Sequence, residues 1–355
     1  MKITSILTKN PIFHTKPETS HARMSLASMD MRDELNKLIE EKKLAFEEVP
    51  CLCGNESFSL IAEYDKFGIA QKTVICEKCG LIQSNPRMSD EALDWFYGSD
   101  FYGNLYGRIE RKATTEFILS EAEGRPKKRY EFIKKYIDYG KVKSVLEIGC
   151  GGGWSLYQFF KDGKKVVGYD YGPALVEAGV KLGMDLRVGK IEDDPKEHGE
   201  YDVILMCHVF EHLPHPLKFM KKLETYLAPG GLIYIEVPHM KEVMMASLVN
   251  AHTYSFTKNT LLHYLDLAGF APVAYWSDKN PIGSQAVLLK RTEDSYQIPS
   301  LEPEYERMKI VIEKSDAKWT RRQSYKKILK NLGLLRATSF FSHLKRKMQR
   351  GKSKA

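Results

Sequence analysis

The middle of the chain alternates short runs of β-branched and aliphatic residues with stretches whose apolar positions recur at helical spacing. The predicted strands are residues 144–148, 165–169, 186–188, 201–206, 232–237, 273–276 and 285–290. The predicted helices among them are residues 154–161, 173–182, 216–227 and 257–268. Strand–helix alternation at this spacing predicts an α/β fold, in which a parallel sheet is covered by helices on both faces.

The flanking regions have patterns of their own. A charged amphipathic helix is predicted at residues 31–46 and a second helix at residues 127–139. Paired cysteines and an aromatic-rich stretch lie between these helices. We therefore expect five parts: an N-terminal extension with a helix (1–45), a cysteine-bearing module (46–95), an aromatic and helical connector (96–140), the α/β domain (141–292) and a basic helical tail (293–355).

Composition excludes several classes of protein. With 43% hydrophobic and 28% charged residues among 355, the chain can bury a core and is not wholly disordered. It has no apolar run of the about 18 residues that a membrane-spanning helix needs. Its first residues lack the apolar segment of a secretory signal. Six cysteines in a chain of this length indicate a reduced, cytoplasmic compartment rather than a disulfide framework.

The net charge of +8 is unevenly distributed. From residue 301 onward there are 16 Lys and Arg against 5 Asp and Glu, which leaves a net charge of −3 on the first 300 residues. A protein that binds along a phosphate backbone needs its excess positive charge on the working surface, so nucleic acid is not the expected partner. Residues 332–348 form a basic amphipathic pattern. It suits either peripheral contact with the inner face of a membrane or a terminal helix packed on the body.

A glycine-rich loop, VLEIGCGGGW, follows the first predicted strand of the α/β domain and opens a helix. Gly149 and Gly151 match the dinucleotide motif G-x-G-x-x-G, but Trp154 replaces its third glycine. Glu147 would repel a pyrophosphate and attract a ligand with sulfonium and ammonium groups. Asp170 ends the next strand, where a carboxylate can accept both ribose hydroxyls. The alternative is a glycine turn that binds no ligand.

The ordered runs VLEIGCGGGW, VVGYD, YDVILMCHVFEHLPHP and LAPGGLIYIEVP resemble the motifs of class I S-adenosylmethionine-dependent methyltransferases over about residues 125–290. The resemblance implies a Rossmann-like sheet of seven strands with the last one antiparallel. It also implies cofactor contacts for nine residues. By position, these are Gly149, Gly151 and Gly153 at the methionine part, Glu147 at the loop and the amino group, Asp170 at the ribose, Ile191 and Glu192 at the adenine, and Cys207 and His208 beside the reacting sulfur.

The stretch from His208 to His212 also matches H-x-x-E-H, the inverted zincin pattern of some metallopeptidases. That chemistry needs the motif on a long helix. Here it follows a buried strand and is soon interrupted by Pro214 and Pro216. We therefore expect a polar turn at Glu211 and His212 that orders the loop, and a solvated His215.

Four cysteines form two close pairs, Cys51-x-Cys53 and Cys76-x-x-Cys79, separated by 22 residues. Two such pairs, each followed by glycine, suit a tetrahedral zinc site, and four thiolates leave no open position for catalysis. The first pair is tighter than the usual C-x-x-C. The alternative is two unconnected pairs of buried cysteines.

With this module, the chain resembles bacterial sugar methyltransferases of surface-polysaccharide and deoxysugar pathways, which place a small zinc module ahead of the cofactor domain. After residue 290 the chain offers only helical, basic sequence and not the second Rossmann-like domain of the deoxysugar C-methyltransferases. The expected reaction is therefore O-methylation of a sugar, as a nucleotide sugar or a surface glycan. Carbon methylation of a keto sugar is an alternative.

The stretch from His252 to Thr257 resembles the H-x-x-x-F-[ST] stretch of those enzymes, in which the histidine is the catalytic base. Ala251 replaces the glutamate that precedes this histidine in the C-methyltransferases. The resemblance implies that His252 is the base. Alternatively, His252 caps the helix that begins near Thr257 or packs on Tyr254.

Two other functions remain open from sequence. One is an RNA methyltransferase that uses the zinc module and the basic tail. The net negative charge of the first 300 residues opposes this function. The stretch after Met206, CHVF, also opposes it, because it lacks the [DN]-P-P-[YF] motif used to methylate exocyclic amines of bases. The other is a non-catalytic scaffold, which would need none of the acidic and glycine positions that the chain retains.

Overall fold

The computed structural model describes residues 1–15, 24–106, 113–193, 201–243, 247–280, 283–292 and 300–331. The strands are β1 (Lys2–Ile6), β2 (Phe46–Glu47), β3 (Ser57–Tyr64), β4 (Ala70–Cys76), β5 (Ile82–Ser84), β6 (Arg87–Met88), β7 (Ser144–Ile148), β8 (Lys165–Asp170), β9 (Asp185–Val188), β10 (Tyr201–Cys207), β11 (Leu227–Pro238), β12 (Tyr254–Ser255), β13 (Phe270–Ser277) and β14 (Ser284–Arg291). The α-helices are α1 (Leu26–Glu40), α2 (Asp90–Gly98), α3 (Asp100–Leu105), α4 (Thr115–Ala122), α5 (Arg125–Lys135), α6 (Tyr157–Lys161), α7 (Pro173–Val180), α8 (Pro216–Leu223), α9 (Lys258–Leu267) and α10 (Glu304–Asn331).

The larger sheet has seven strands in the order β13-β14-β11-β10-β7-β8-β9. Neighbouring strands from β11 to β9 are parallel, whereas β14 is antiparallel to both β11 and β13. This arrangement confirms the predicted α/β fold with one reversed strand. The order changes direction between β7 and β10, and ligands of open α/β sheets bind at the carboxyl ends of the strands at such a point.

Both faces of this sheet are buried, as its apolar strands require. Val203 and Leu205 of β10 belong to one hydrophobic cluster, and Ile204 and Met206 belong to another. Because successive residues of a strand point to opposite faces, these two clusters are the cores above and below the sheet. Polar side chains on the central strands are therefore exceptions that need an explanation.

A second sheet has five strands in the order β1-β3-β4-β5-β12. Its edge strand β1 pairs in parallel with β3, and its other edge, β12, pairs antiparallel with β5. The strand at the N-terminus and the strand at residues 254–255 thus lie outside the 46–95 segment predicted as the cysteine module. The sheet is assembled from three distant parts of the chain.

The predicted basic tail begins with a long helix that packs on this second sheet. Met308 and Ile312 of α10 are fully buried in a cluster with Ile61 and Ile75. The first part of the predicted tail is therefore part of the core. Residues 332–355, which include the basic amphipathic pattern, lie outside the described residues.

Several predicted boundaries shift in the structure. The first helix spans Leu26–Glu40 rather than 31–46, because the Ser25 hydroxyl accepts a hydrogen bond from the Ser28 amide and caps it. Residues 228–231 separate the predicted helix 216–227 from the predicted strand 232–237. In the structure they lie within β11 as an irregularity, where the register moves from Leu227 opposite Tyr201 to Leu232 opposite Val203.

No helix within the described ranges combines the length and the apolar character needed to cross a membrane.

Candidate functional site

The glycine loop follows β7 and folds back onto the end of β8. Gly149, Gly151 and Gly153 have φ angles of 69°, 55° and 78°, in the left-handed region that glycine adopts without strain. The amides of Gly149 and Cys150 donate to the Tyr169 carbonyl oxygen at 2.8 and 3.0 Å. The loop is thus fixed at the carboxyl edge of the sheet.

Asp170, the last residue of β8, faces this loop. Its Oδ2 accepts from the Gly151 amide at 2.8 Å, and its Oδ1 accepts from the Gly172 amide at 2.8 Å. These two bonds orient the carboxylate beside the loop. The position suits the predicted contact with a ribose.

Glu147 lies on β7 just before the loop and is 1% exposed. Its Oε2 has no hydrogen-bond partner among the described residues. Burial raises the pKa of Glu147 to about 8, and nearby Arg129 limits that rise. A buried, unpartnered carboxylate oxygen beside a glycine loop fits the ammonium group of S-adenosylmethionine, because an ammonium supplies both the missing donor and the missing charge.

The residues predicted to contact the adenine and the reacting sulfur lie at the same edge of the sheet as the glycine loop. Ile191 is 1% exposed and begins a short 3-10 turn that also contains Glu192, just after β9. Cys207 ends β10 opposite Glu236 of β11, and burial raises the pKa of the Cys207 thiol. All nine predicted cofactor residues therefore lie in or just beyond the carboxyl ends of β7–β10.

A buried ionic network behind the loop was not predicted from sequence. Glu236 is fully buried, and Arg129 of α5 binds it through Nε to Oε2 at 2.6 Å and Nη2 to Oε1 at 3.0 Å. Arg125 contacts the same carboxylate at 3.2 Å. Burial alone would raise the pKa of Glu236, but hydrogen bonds from His208 and Arg129 outweigh it and lower the pKa. The only sequence signal was one acidic residue within the apolar run LIYIEVP.

His208 connects this network to the end of β10. Its φ of 60° is unusual for a residue with a side chain. The ring lies 3.4 Å from Glu236 Oε1 through Nε2 and 3.3 Å from Glu211 Oε1 through Nδ1. Burial would lower the pKa of His208, but the two carboxylates raise it to about 9. His208 is therefore protonated at neutral pH and cannot act as a base, while its charge is balanced within the network.

A second cluster joins Glu211, His212 and His252, whose ligand atoms all lie within 4.8 Å of one another. His212 Nδ1 is 2.7 Å from the Ala251 carbonyl oxygen. Because a carbonyl only accepts, Nδ1 of His212 carries a proton. Two imidazoles and a carboxylate could hold a divalent metal ion. They could equally serve as a proton acceptor with its stabilising partner.

The position of His252 excludes one alternative considered from sequence. Thr257 itself caps α9, because its hydroxyl accepts from the Thr260 amide. The His252 ring instead packs edge-on against His212, with 5.0 Å between ring centroids. Burial and His212 lower the pKa of His252 to about 3, so this ring is neutral at physiological pH.

The H-x-x-E-H stretch lies on a 3-10 turn of three residues, Phe210–His212, rather than on a long helix. It therefore lacks the framework of a metallopeptidase. His215 is exposed and lies 3.3 Å from Asp90, on the outside of the same loop.

The four cysteines of the N-terminal module converge. The Sγ atoms of Cys51 and Cys79 are 3.5 Å apart, those of Cys53 and Cys76 are 3.6 Å apart, and all four lie within 4.8 Å of one another. Four thiolates around a tetrahedral zinc with bonds of about 2.3 Å would be about 3.8 Å apart. The Tyr264 hydroxyl approaches Cys79 Sγ at 3.1 Å. The donor set and its spacing fit zinc.

Comparison with known proteins agrees with this geometry. A family model described as "Methyltransferase domain" matches residues 118–275. A ubiquinone biosynthesis O-methyltransferase of Xanthomonas euvesicatoria pv. vesicatoria is 26% identical over 200 residues, covering 49% of this chain and 82% of the relative. The corresponding protein of Marinobacter nauticus is 34% identical over 104 residues, covering 26% of this chain and 43% of the relative.

Solved structures similar to this chain include a SAM dependent methyltransferase from Archaeoglobus fulgidus, with a TM-score of 0.40, 16% identity and coverage of 48% of this chain and 94% of that one. Another is a putative S-adenosylmethionine dependent methyltransferase from Listeria monocytogenes, with a TM-score of 0.39, 17% identity and coverage of 46% and 98%.

The matched segment contains the glycine loop, Asp170 and the ends of β7–β10, so the methyltransferase domain of this chain includes the predicted cofactor site. The protein is an S-adenosylmethionine-dependent methyltransferase.

The state of Glu147 predicts that cofactor binding releases a proton. Without ligand the carboxyl group is largely protonated below its pKa of about 8, whereas an arriving ammonium favours the carboxylate. At about pH 6.5 we expect close to one proton released per cofactor bound, and affinity that rises with pH over this range. Calorimetry in two buffers with different ionisation enthalpies measures the release.

Glu147→Gln should abolish the proton release and weaken binding by roughly 10- to 100-fold, the value of a hydrogen bond to a charged group. Glu177→Gln, on the exposed face of α7, removes the same charge at a distance and should change neither quantity. Equal proton release by the Glu147→Gln variant would contradict this role.

Proposed function

We propose that the protein O-methylates a hydroxyl group of a sugar, presented as a nucleotide sugar or within a surface glycan. The observation that carries the proposal is the way in which the N-terminal sheet holds the loop of His252. The Ser84 hydroxyl donates to the His252 carbonyl oxygen at 2.9 Å, and the Ser84 amide donates to the Thr253 carbonyl oxygen at 3.0 Å. The segment that carries the cysteines thus supports the loop of His252, which we take as the acceptor side of the site.

An aromatic wall beside this loop supports an acceptor with a ring. Tyr97 of α2 stacks on Tyr171 with 6.4 Å between centroids, and its hydroxyl donates to the Ala251 carbonyl oxygen at 3.3 Å. Tyr171 is 39% exposed and follows Asp170 directly. Aromatic side chains with a few fixed polar groups are the usual lining of small-molecule sites. Such a wall can pack against the apolar face of a sugar.

S-adenosylmethionine, when bound, supplies a methyl group on a cationic sulfur. The chain must hold the acceptor hydroxyl in line with that group and take its proton. We assign proton acceptance to the imidazole of His252, next to His212 in the cluster. Because burial and His212 lower the pKa of His252, the imidazolium must be stabilised as it forms. Glu211 is ionised because His208 outweighs the effect of burial and lowers the pKa of Glu211. Its unpartnered Oε2 stabilises the imidazolium that forms.

The names of the curated relatives favour a second candidate, an acceptor of ubiquinone biosynthesis, with the same transfer to oxygen. Methylation of RNA and carbon methylation of a keto sugar fit less well. The first 300 residues carry a net charge of −3, which opposes a nucleic-acid acceptor, and Ala251 stands where the C-methyltransferases that the chain resembles have a glutamate.

Radiolabelled S-adenosylmethionine offered with separate panels of nucleotide sugars, glycans, ubiquinone precursors and RNA tests the acceptor. We expect label in a sugar panel, with the methyl group on oxygen by mass spectrometry after mild hydrolysis. Label in the ubiquinone precursor or RNA panel alone would overturn the sugar assignment.

The assignment of His252 is tested by His252→Ala. Loss of a positioned base lowers turnover by roughly 100- to 10,000-fold. We therefore expect kcat to fall by at least about 100-fold, while the Kd of the cofactor stays within about twofold. His215→Ala, an exposed histidine on the neighbouring loop, is the matched control. If His252→Ala keeps turnover within a fewfold and His212→Ala loses it, His212 is the base instead.

We also propose that the four cysteines bind one structural zinc. Elemental analysis of the purified chain should give one zinc per molecule, and Cys76→Ser should lose it together with several degrees or more of thermal stability, since such a metal contributes to folding. Cys150→Ser changes a buried cysteine of the glycine loop and should keep its zinc. A wild-type chain purified without chelators that carries no zinc contradicts the proposal.

A further inference from the structure

A cavity of about 270 Å³ lies beside the carboxyl end of β11, apart from the glycine loop. It opens between the segment after β11, the start of α9 and the first turn of α10, and its lining includes His239, Lys241, Lys258 and Arg307. Pockets that enclose a whole small molecule usually begin at about 300 Å³. This cavity therefore suits one part of a larger ligand.

His239 is the polar group that the fold leaves unsatisfied in this cavity. The residue is 4% exposed, and neither of its ring nitrogens makes a hydrogen bond within 3.5 Å among the described residues. Burial lowers the pKa of His239, and the nearby Asn280 backbone offsets only part of that effect. Its backbone is fixed, because the His239 amide donates to the Gly283 carbonyl oxygen at 3.0 Å. A buried imidazole without partners is rare, and one that lines a cavity points to a ligand that completes its bonding.

The charges around the cavity are mainly positive. Arg307 is paired with Glu304, through Nε to Oε2 at 2.9 Å. Lys258 lies over the ring of Tyr275 at 4.8 Å, and Lys241 donates to the Asp278 carbonyl oxygen. Within the described residues, neither lysine is paired with a carboxylate. Two lysine charges are thus left for an anion.

The N-terminal end of α9 adds to the positive charge around the cavity. The helix has ten residues, and Lys258 and Asn259 of its first turn line the cavity. The positive end of a helix dipole favours an anionic ligand. Glu304 accepts from the side chains of Thr257 and Asn259 and occupies part of this end. A ligand anion would therefore lie on the side of Lys241, Lys258 and His239.

The cavity is next to the reaction edge, by which we mean the carboxyl edge of the seven-stranded sheet, where the cofactor residues and His208 lie. His239 follows Pro238, which is paired with Ser284 at the start of β14. The Ser284 hydroxyl lies 3.3 Å from His208 Nε2. Pro238 and Ser284 thus connect the cavity to His208 at the end of β10.

We propose that this cavity binds the phosphate or diphosphate group of the acceptor, so that the enzyme methylates a sugar carried as a phosphate ester. The inference rests on the proposed function and narrows it from sugars in general to phosphorylated ones. A soluble nucleotide sugar and a lipid-linked diphosphate sugar share the recognised group. His239 and Lys258 select that group, whereas the His252 side selects the sugar.

Binding of inorganic pyrophosphate to the full chain, saturated with S-adenosylhomocysteine, is the direct test by calorimetry. Lys241→Gln combined with Lys258→Gln should weaken pyrophosphate binding at least tenfold and leave the Kd of S-adenosylhomocysteine within twofold. The matched control, Lys218→Gln with Lys222→Gln on the exposed side of α8, removes the same charge and should leave pyrophosphate binding unchanged. His239→Phe keeps a ring but removes both nitrogens and should also weaken pyrophosphate binding.

Failure of wild type to bind pyrophosphate, or equal weakening in the control variant, overturns the proposal. If pyrophosphate binding depends on Lys258 but no sugar is methylated, the result supports phosphate binding in the cavity and contradicts the proposed methylation of a sugar. A different outcome is that a free glycoside is methylated as efficiently as its nucleotide form, with the double lysine variant methylating both as well as wild type does. That result supports methylation of a sugar and contradicts the assignment of the cavity as a phosphate site. Comparing a uridine diphosphate sugar with a polyprenyl diphosphate sugar in detergent micelles identifies the source of the phosphate.

Discussion

The buried bond between Glu236 and Arg129 is the interaction on which the reaction edge depends. It joins α5 to the centre of the sheet, and through Glu236 it also fixes His208 at the end of β10. Removing one partner of a buried ion pair typically costs about 3–5 kcal/mol, because the other charge is left without compensation. The position of His208, and of the loop that follows it, is therefore tied to the integrity of the core rather than to the loop itself.

Three buried glutamates near this edge are held in different states by their surroundings. Glu147 has an unpartnered oxygen, and burial raises its pKa. Glu211 and Glu236 face His208, and hydrogen bonds from His208 to both, together with those from Arg129 to Glu236, outweigh burial and lower their pKa values. The site thus separates a carboxyl group that becomes charged when a cation arrives from two that are charged in advance. Such divergent environments for equivalent groups are typical of functional sites.

Sequence reasoning predicted the elements that repeat a pattern and missed those that depend on distant contacts. The seven strands follow from alternating apolar runs, and the glycine loop and Asp170 follow from motif order. The roles of Arg125 and Arg129 do not follow, because a charged residue on a predicted helix is normally solvated. The unpartnered ring of His239 also has no sequence signal, since it results from how β11, β14 and α9 meet. The pairing of β1 and β12 with the sheet of the predicted cysteine module also has no sequence signal, because strand pairing is not local in sequence.

The pairing of β12 with β5 bears on how this protein is made. The smaller sheet needs residues 2–6, residues 57–84 and residues 254–255, and α10 then covers it with Met308 and Ile312. During synthesis on the ribosome, the cysteine segment emerges long before its last strand and its covering helix. The N-terminal part must wait, partly assembled, until most of the chain has been translated, since non-local contacts form late. A truncated transcript that stops after the methyltransferase domain would leave that sheet uncovered and prone to aggregation.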